Sequence, residues 1–253
     1  MRYITDQSVS MQRLSSPPAA PTPAALPSPR QRRKEARPQE LLDAALALFV
    51  EHGFAATRME EIAARAGVSK GTLYLYYPSK EELLKAVIRD RLSNEVRAVT
   101  AAALSHRGPV AELLRNQFQQ WWLRAFDSPA SGVLKLVVTE VRGFPEIAGM
   151  YAREVVEPSQ RLIGGLLRKG IASGEFRAVD VEAAVHSLLL PMVMLCVHKH
   201  SLGACAPVES LREPRRFVQQ HVDLVVRGLL AAAPAGGAPA PAAPTPAPRN
   251  KTR

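Results

Sequence analysis

The sequence predicts an all-α protein of about nine helices, with a small three-helix N-terminal head and a larger helical C-terminal domain. Three observations predict it. Apolar residues recur at three- and four-residue spacing through most of the chain between 37 and 232. Runs of alternating β-branched and aromatic residues, the mark of strands, are nearly absent. Gly, Pro, Ser and Thr stand where such helices should begin and end.

The elements follow in order. Leu41, Ala45, Leu48 and Phe49 set the period of a first helix over 37–52, which Gly53 ends. Thr57 with Glu60 three residues on reads as a capping box. It opens a short helix with Met59, Ile62, Ala63 and Ala66 on one face, broken by Gly67. Ser69 caps the next helix, which stops before Pro78. Ser79 and Glu82 form a second capping box, opening a long helix that carries Leu84, Val87, Ile88, Leu92 and Val96. Further helices are predicted over 110–126, 130–141, 145–172, 181–200 and 211–232. Pro145 suits a first helical position, Gly174 suits a C-terminal cap, and Pro158 and Pro191 should kink the helices that contain them.

Composition narrows the class. The chain has 253 residues, 47% of them hydrophobic, enough for a sizeable core. No run approaches the roughly 20 consecutive apolar residues of a bilayer-spanning helix, and 1–34 has no apolar central stretch of a secretory leader. Prolines in that segment also oppose the amphipathic helix of a transit peptide, so a cytoplasmic location is expected. Cys196 and Cys205 read as reduced thiols, with a disulfide between them left open. The net charge of +10 and pI near 10.1 favour a polyanionic partner. Much of that charge lies toward the ends, at Arg30, Arg32, Arg33, Lys34, Arg249, Lys251 and Arg253. The Pro/Ala-rich ends, 1–36 and 233–253, lack apolar periodicity and are expected to be disordered. The basic end of the first either touches phosphates or is a solvated linker.

The informative stretch is 57–80, TRMEEIAARAGVSKGTLYLYYPSK. Two short helices joined by a tight turn at Gly67, Val68 and Ser69 make a helix-turn-helix. On the second helix Leu73 and Tyr77 point toward the core. Gly71, Thr72, Leu75 and Tyr76 form an outer face that is small, hydroxylated and aromatic. Such a face fits a major groove, where side chains read base edges. Ser69, Thr72 and the tyrosine hydroxyls are potential phosphate or base partners, with Lys70 and Lys80 flanking to neutralise phosphates.

Here the sequence resembles the TetR family of one-component regulators. The resemblance lies in the apolar first helix ending at Gly53 and Phe54, then Thr57, Ile62, Ala63, the run Ala66 to Ser69, Gly71 to Tyr74, Tyr76, Tyr77 and Ser79 to Leu83. It is dense over 37–88; beyond that only the helical architecture is similar. It implies a DNA-binding domain over 37–88 and an effector-binding and dimerisation domain over 89–232. It also implies that Thr57 and Tyr74 hold backbone phosphates, that Lys80 pairs with a phosphate, and that Lys70, Thr72 and Tyr76 face the major groove. Gly71 lets that helix approach closely, and Tyr77, where relatives usually carry Phe, packs inward. Glu60 departs from relatives with a basic contact there; Arg58 is the alternative phosphate contact.

The resemblance further implies a repressor released from operator DNA by a small molecule, acting as a homodimer through its last two long helices. Ala183, Ala184, Ser187 and Leu188 would face Phe217, His221, Leu224, Val225 and Gly228 of the paired surface, unless those faces bury in their own subunit. An apolar pocket for a hydrophobic effector would be lined by Phe118, Trp121, Trp122, Met150, Tyr151, Met192 and Met194, the alternative being ordinary core packing. Activation and repression use the same reading head, so an activator or ligand-independent regulator is the alternative. A helical enzyme lacks support: the sequence has no Gly-rich phosphate loop, nucleophile elbow or metal motif. Cys196 and His200 share a helix face but have no second ligand pair, so no metal and no cofactor is expected.

Overall fold

A computed structural model describes residues 29–205 and 209–231. The tail expectations for 1–28 and 232–253 lie outside the described residues. Helix α1 (Pro29–His52) starts eight residues before the predicted position and runs through Pro38. Residues 31–36, assigned to a disordered tail by composition, are strong helix formers and extend it. Gly53, with a left-handed φ of 85°, terminates it, its N–H bonding Phe49 O at 3.0 Å.

Helices α2 (Met59–Arg65) and α3 (Lys70–Tyr76) form the helix-turn-helix. The first capping box is displaced by one residue. Arg58 is the N-cap, and its N–H donates to Glu61 Oε2 at 2.9 Å. Thr57 is buried and points backward instead, its hydroxyl donating to Gly53 O at 2.8 Å, with Leu48 O at 3.2 Å. The other two N-caps are as predicted: Ser69 Oγ accepts from Thr72 N–H and Ser79 Oγ from Glu82 N–H, each at 3.1 Å, but the second box is half made, because the Glu82 carboxylate turns to Lys85 (2.8 Å) rather than back to Ser79. The turn closes through Gly67 (φ 65°) and the Val68 N–H to Ala63 O bond at 2.9 Å.

Helix α4 runs over 80–105 as Lys80–Ile88, a π-helical turn Arg89–Ser93, and Asn94–Ser105. Helix α5 spans 110–127 with a π turn Leu114–Phe118, and α6 is Ala130–Glu140. Helix α7 spans 145–172 with a π turn Ala152–Val156. This turn is how the helix admits Pro158, which lacks an N–H and crowds the preceding turn. Helices α8 (Val181–Lys199) and α9 (Pro214–Leu229) follow, with single turns at Leu202–Cys205 and Glu209–Leu211 between them. Joined across their π turns, the labelled helices number nine among the described residues, seven long and two short, and the only extended pairing there is an isolated Phe176–Leu230 bridge.

One continuous core holds these helices from Leu41 onward. In the head, Leu41, Ala45, Phe49, Ile62, Leu73, Leu83 and Leu84 are fully buried together. The head joins the rest through Phe54, whose ring meets Phe144 edge-on at 4.9 Å, and through Gly132, where a Cβ would lie 2.6 Å from Val50. Helix α8 is by length and composition apolar enough to cross a bilayer, contrary to the reading from consecutive apolar residues. In this fold it packs against α6, α7 and α9, with Val185, Leu188, Met192 and Leu195 in the core.

Candidate nucleic-acid interface and effector cavity

The reading head is built by the caps. With Leu73 in the core, α3 turns Gly71, Tyr74 and Leu75 to solvent, and Leu75 is 83% exposed. Tyr76 and Tyr77 are half-buried against the core, so Tyr76 offers an edge rather than a full face. Burial and the nearby Asp90 carboxylate push the Tyr77 hydroxyl pKa up, which fits its packing role. Thr72 Oγ1 lies 2.8 Å from Ser69 Oγ, so the two hydroxyls are held at one corner of the helix. Lys70 stands beside the Tyr74 ring, 5.7 Å from its centre, and pairs with Glu60. Glu60 is therefore a partner of the recognition helix rather than the capping acid, and Lys70 holds it below the ordinary carboxylate range.

Two predicted phosphate contacts lie elsewhere. Thr57 is buried, its hydroxyl committed to carbonyls of α1. Lys80 Nζ donates to Phe54 O (2.8 Å), Ala55 O (3.0 Å) and Thr57 O (2.9 Å) and sits 4.7 Å from the centre of the Phe54 ring. An ammonium has three protons, and all three are engaged. Lys80 thus clamps the α1–α2 loop against the start of α4. Arg58, Ser69, Lys70, Gly71, Thr72 and Tyr74 remain at the surface of the head.

Below the head lies a cavity of about 520 Å³, within the range of small-molecule sites. Trp121, Trp122 and Tyr151 line it, as predicted from sequence. Phe118 is one step behind, on a 20 Å³ side pocket. Met150 and Met192 are buried in the core outside the cavity lining, and Met194 is 57% exposed on the outer side of α8. Sequence reasoning missed the polar wall: Asp90, Arg91, Glu95, Arg124, Gln160 and His186. These come from four helices, and no local spacing announces them. Burial drives the Tyr151 hydroxyl up to about 12, so it stays protonated.

The cavity is wired to the head. Two π turns, Arg89–Ser93 and Ala152–Val156, contribute to its wall. Arg91, on that wall, forms an ion pair with Asp43 of α1, and Gln39 of α1 reaches Asp90 at 3.4 Å. Arg89 grips Glu154 of α7 at 3.0 Å and holds its carboxyl below the ordinary range; Lys85 bridges Glu82 (2.8 Å) and Glu146 (3.2 Å).

Cys196 is buried, its thiol pushed up to about 12 by burial, and Cys205 is exposed; both are free. His200 faces Ser131 Oγ at 2.9 Å, and burial lowers its pKa. Among the described residues no group of three or more His, Cys, Asp or Glu side chains is placed to hold a metal.

A helix-turn-helix head set on a helical body is the architecture of a DNA-binding regulator, and the cavity has the size of a small-molecule site. The family described as bacterial regulatory proteins, tetR family, matches residues 41–87, and the C-terminal domain of AefR-like transcriptional repressors matches 113–228. The two matches together cover more than half of the chain, which belongs to the TetR family of transcriptional regulators. It is a DNA-binding transcriptional repressor by family. Among its relatives, the HTH-type transcriptional repressor KstR2 of Rhodococcus jostii is 29% identical over 201 residues, spanning 78% of this chain and 92% of the relative. The fold is similar to that of the ketosteroid regulator KstR2 of Mycobacterium tuberculosis (22% identity, TM-score 0.60, 77% of this chain and 95% of that one). It is also similar to FadR of Bacillus subtilis, solved with stearoyl-CoA (19% identity, TM-score 0.60, 76% and 98%).

Proposed function

We propose that this chain represses transcription as a cytoplasmic homodimer, each head entering the major groove of one operator half-site, and that a hydrophobic effector in the 520 Å³ cavity releases it. The observation that carries this reading is the Arg91–Asp43 ion pair, because one of its partners lines the cavity and the other sits on the first helix of the head. An effector that favours a different cavity shape shifts this contact, and with it the head. The domain division follows: 37–88 reads DNA and 89–232 binds the effector and dimerises, with α4 continuous between them.

Gly71, Thr72, Tyr74 and the exposed edge of Tyr76 face base edges and the sugar–phosphate rim, with Ser69 beside them. Lys70 and Arg58 neutralise phosphates. The dimer forms through one apolar surface shared by two helices. Ala183, Ser187, Leu190 and Met194 lie on one exposed stripe of α8, beside Phe217, His221, Leu224 and Gly228 of α9. His221 Nε2 lies 2.9 Å from Ser187 O, which joins the stripes. Ala184 and Leu188, also expected at this surface, are buried in their own subunit.

The test is binding of the purified protein to the intergenic DNA flanking its own gene, at fixed near-physiological salt with random competitor DNA. A discrete, competitor-resistant complex on a near-palindromic site is expected. Equal affinity for that DNA and for random DNA, weakening in parallel as salt rises, would sink the sequence-specific reading.

A further inference from the structure

The three buried side-chain polar atoms without a hydrogen-bond partner among the described residues are Arg91 Nε, Trp121 Nε1 and Trp122 Nε1. All three belong to residues of the same cavity wall, and all three are donors. Arg91 Nε lies 3.1 Å from Asp90 Oδ2, but not along the N–H direction, so proximity supplies charge without a bond. A buried donor left unmade is costly, and proteins seldom keep three around one space. Several other polar groups of the wall are engaged. Ser159 Oγ donates to Val155 O (2.7 Å), Ser128 Oγ to Ala125 O (3.0 Å), and Gln160 pairs with His186 (3.2 Å).

Charge restricts the ligand further. The wall carries Arg91 and Arg124 against Asp90 and Glu95, two cations against two anions. The formal charges of the wall balance, and an anion near Arg91 meets Asp90 as well as the Asp43 already paired there. Resting on the reading of this cavity as the effector site, we infer that the effector is an uncharged, mainly apolar carbonyl compound, of the ketone, lactone or ester class, whose oxygen accepts from the Trp121, Trp122 and Arg91 donors. The two indole N–H groups are buried within the wall, so a ring must turn for either to meet the carbonyl. The indoles pack edge to face, 4.8 Å apart, so turning one displaces the other.

Trp121 and Trp122 are the chain's two tryptophans, so intrinsic fluorescence reports the cavity alone. The experiment titrates the full-length protein with three ten-carbon probes on one ring skeleton: limonene, dihydrocarvone and perillic acid. All but the weakest binder should perturb the emission, with the ketone at least about tenfold tighter than the acid. Trp122→Phe, and separately Trp121→Phe, should weaken dihydrocarvone about three- to tenfold while leaving limonene within about twofold, as loss of a neutral hydrogen bond predicts. Tighter binding of the acid overturns the inference, as does an equal effect of both variants on ketone and hydrocarbon. If none of the three probes perturbs the emission up to its solubility, the effector-site reading fails together with the inference.

Discussion

Lys80 occupies the first position of α4, where the helix's own partial positive charge disfavours a cation. The carbonyls of Phe54, Ala55 and Thr57 offset that cost and give the ammonium its three acceptors. Lys80→Met keeps the stem against Phe54 but orphans three carbonyls, so the free protein should lose about 2 kcal/mol of stability, read by chemical denaturation without DNA. An unchanged denaturation midpoint with weakened DNA binding would return Lys80 to the phosphate role that the family resemblance implies. Glu60 makes the opposite case: it is exposed, and its worth lies in what it does to Lys70. Glu60→Gln should release Lys70 to phosphate and strengthen binding to operator and random DNA alike, with the salt slope steeper by about one. Residue roles of this kind were half legible. Ser69 and Ser79 cap as their spacing demands, because a cap is a local bond between neighbours in sequence. The partners that Thr57 and Lys80 take in the free head were not legible, because they lie as far as 9 and 26 residues away.

At the scale of elements, the long helices are interrupted by π turns, and two of these turns face the cavity. A π turn widens the helix and leaves it less regular, a common feature of sites where a helix must also move or bind. Helix α4 carries one such turn where it passes from the head into the body, at Arg89–Ser93. The same turn supplies Arg91 to both the cavity and Asp43. Asp43→Asn cuts this contact on the α1 side without touching α3. Operator affinity should stay within about threefold, while the effector's power to release DNA falls by about fivefold, measured as the ratio of operator Kd with and without dihydrocarvone. A variant that releases DNA as readily as the parent would show that the signal passes through Arg89–Glu154 or Lys85–Glu146 instead. Periodicity located these helices to within a few residues. It did not show the π turns, since a π turn is defined by backbone bonds across five residues and a single such turn lies within the scatter of a natural apolar pattern.

At the scale of the whole molecule, one large apolar surface is left uncovered, with Leu190 and Met194 at 57% and Leu224 at 71% exposed. A patch of this kind on the surface of a folded chain marks an interface. Leu190→Glu combined with Leu224→Glu should give a folded monomer by sedimentation, with operator affinity lower by about a hundredfold because the two heads no longer bind as one. A variant that stays dimeric would move the interface to another face.

What the sequence determined by itself is what neighbours in the chain decide: the helical periods, two of the three head caps, the breaks at Gly53 and Gly67, and the reading helix with its outer Gly71, Thr72 and Leu75. What only the tertiary structure decided is what distant residues share. It set the polar wall of the cavity, drawn from separate helices, the engagement of Lys80 by a loop, the burial of Ala184 and Leu188, and the ion pair that joins Arg91 to Asp43. The physical reason is one of range. Capping and periodicity act over three or four residues, whereas burial, orphaned donors and ion pairs are properties of a space that exists only once the helices have packed around it.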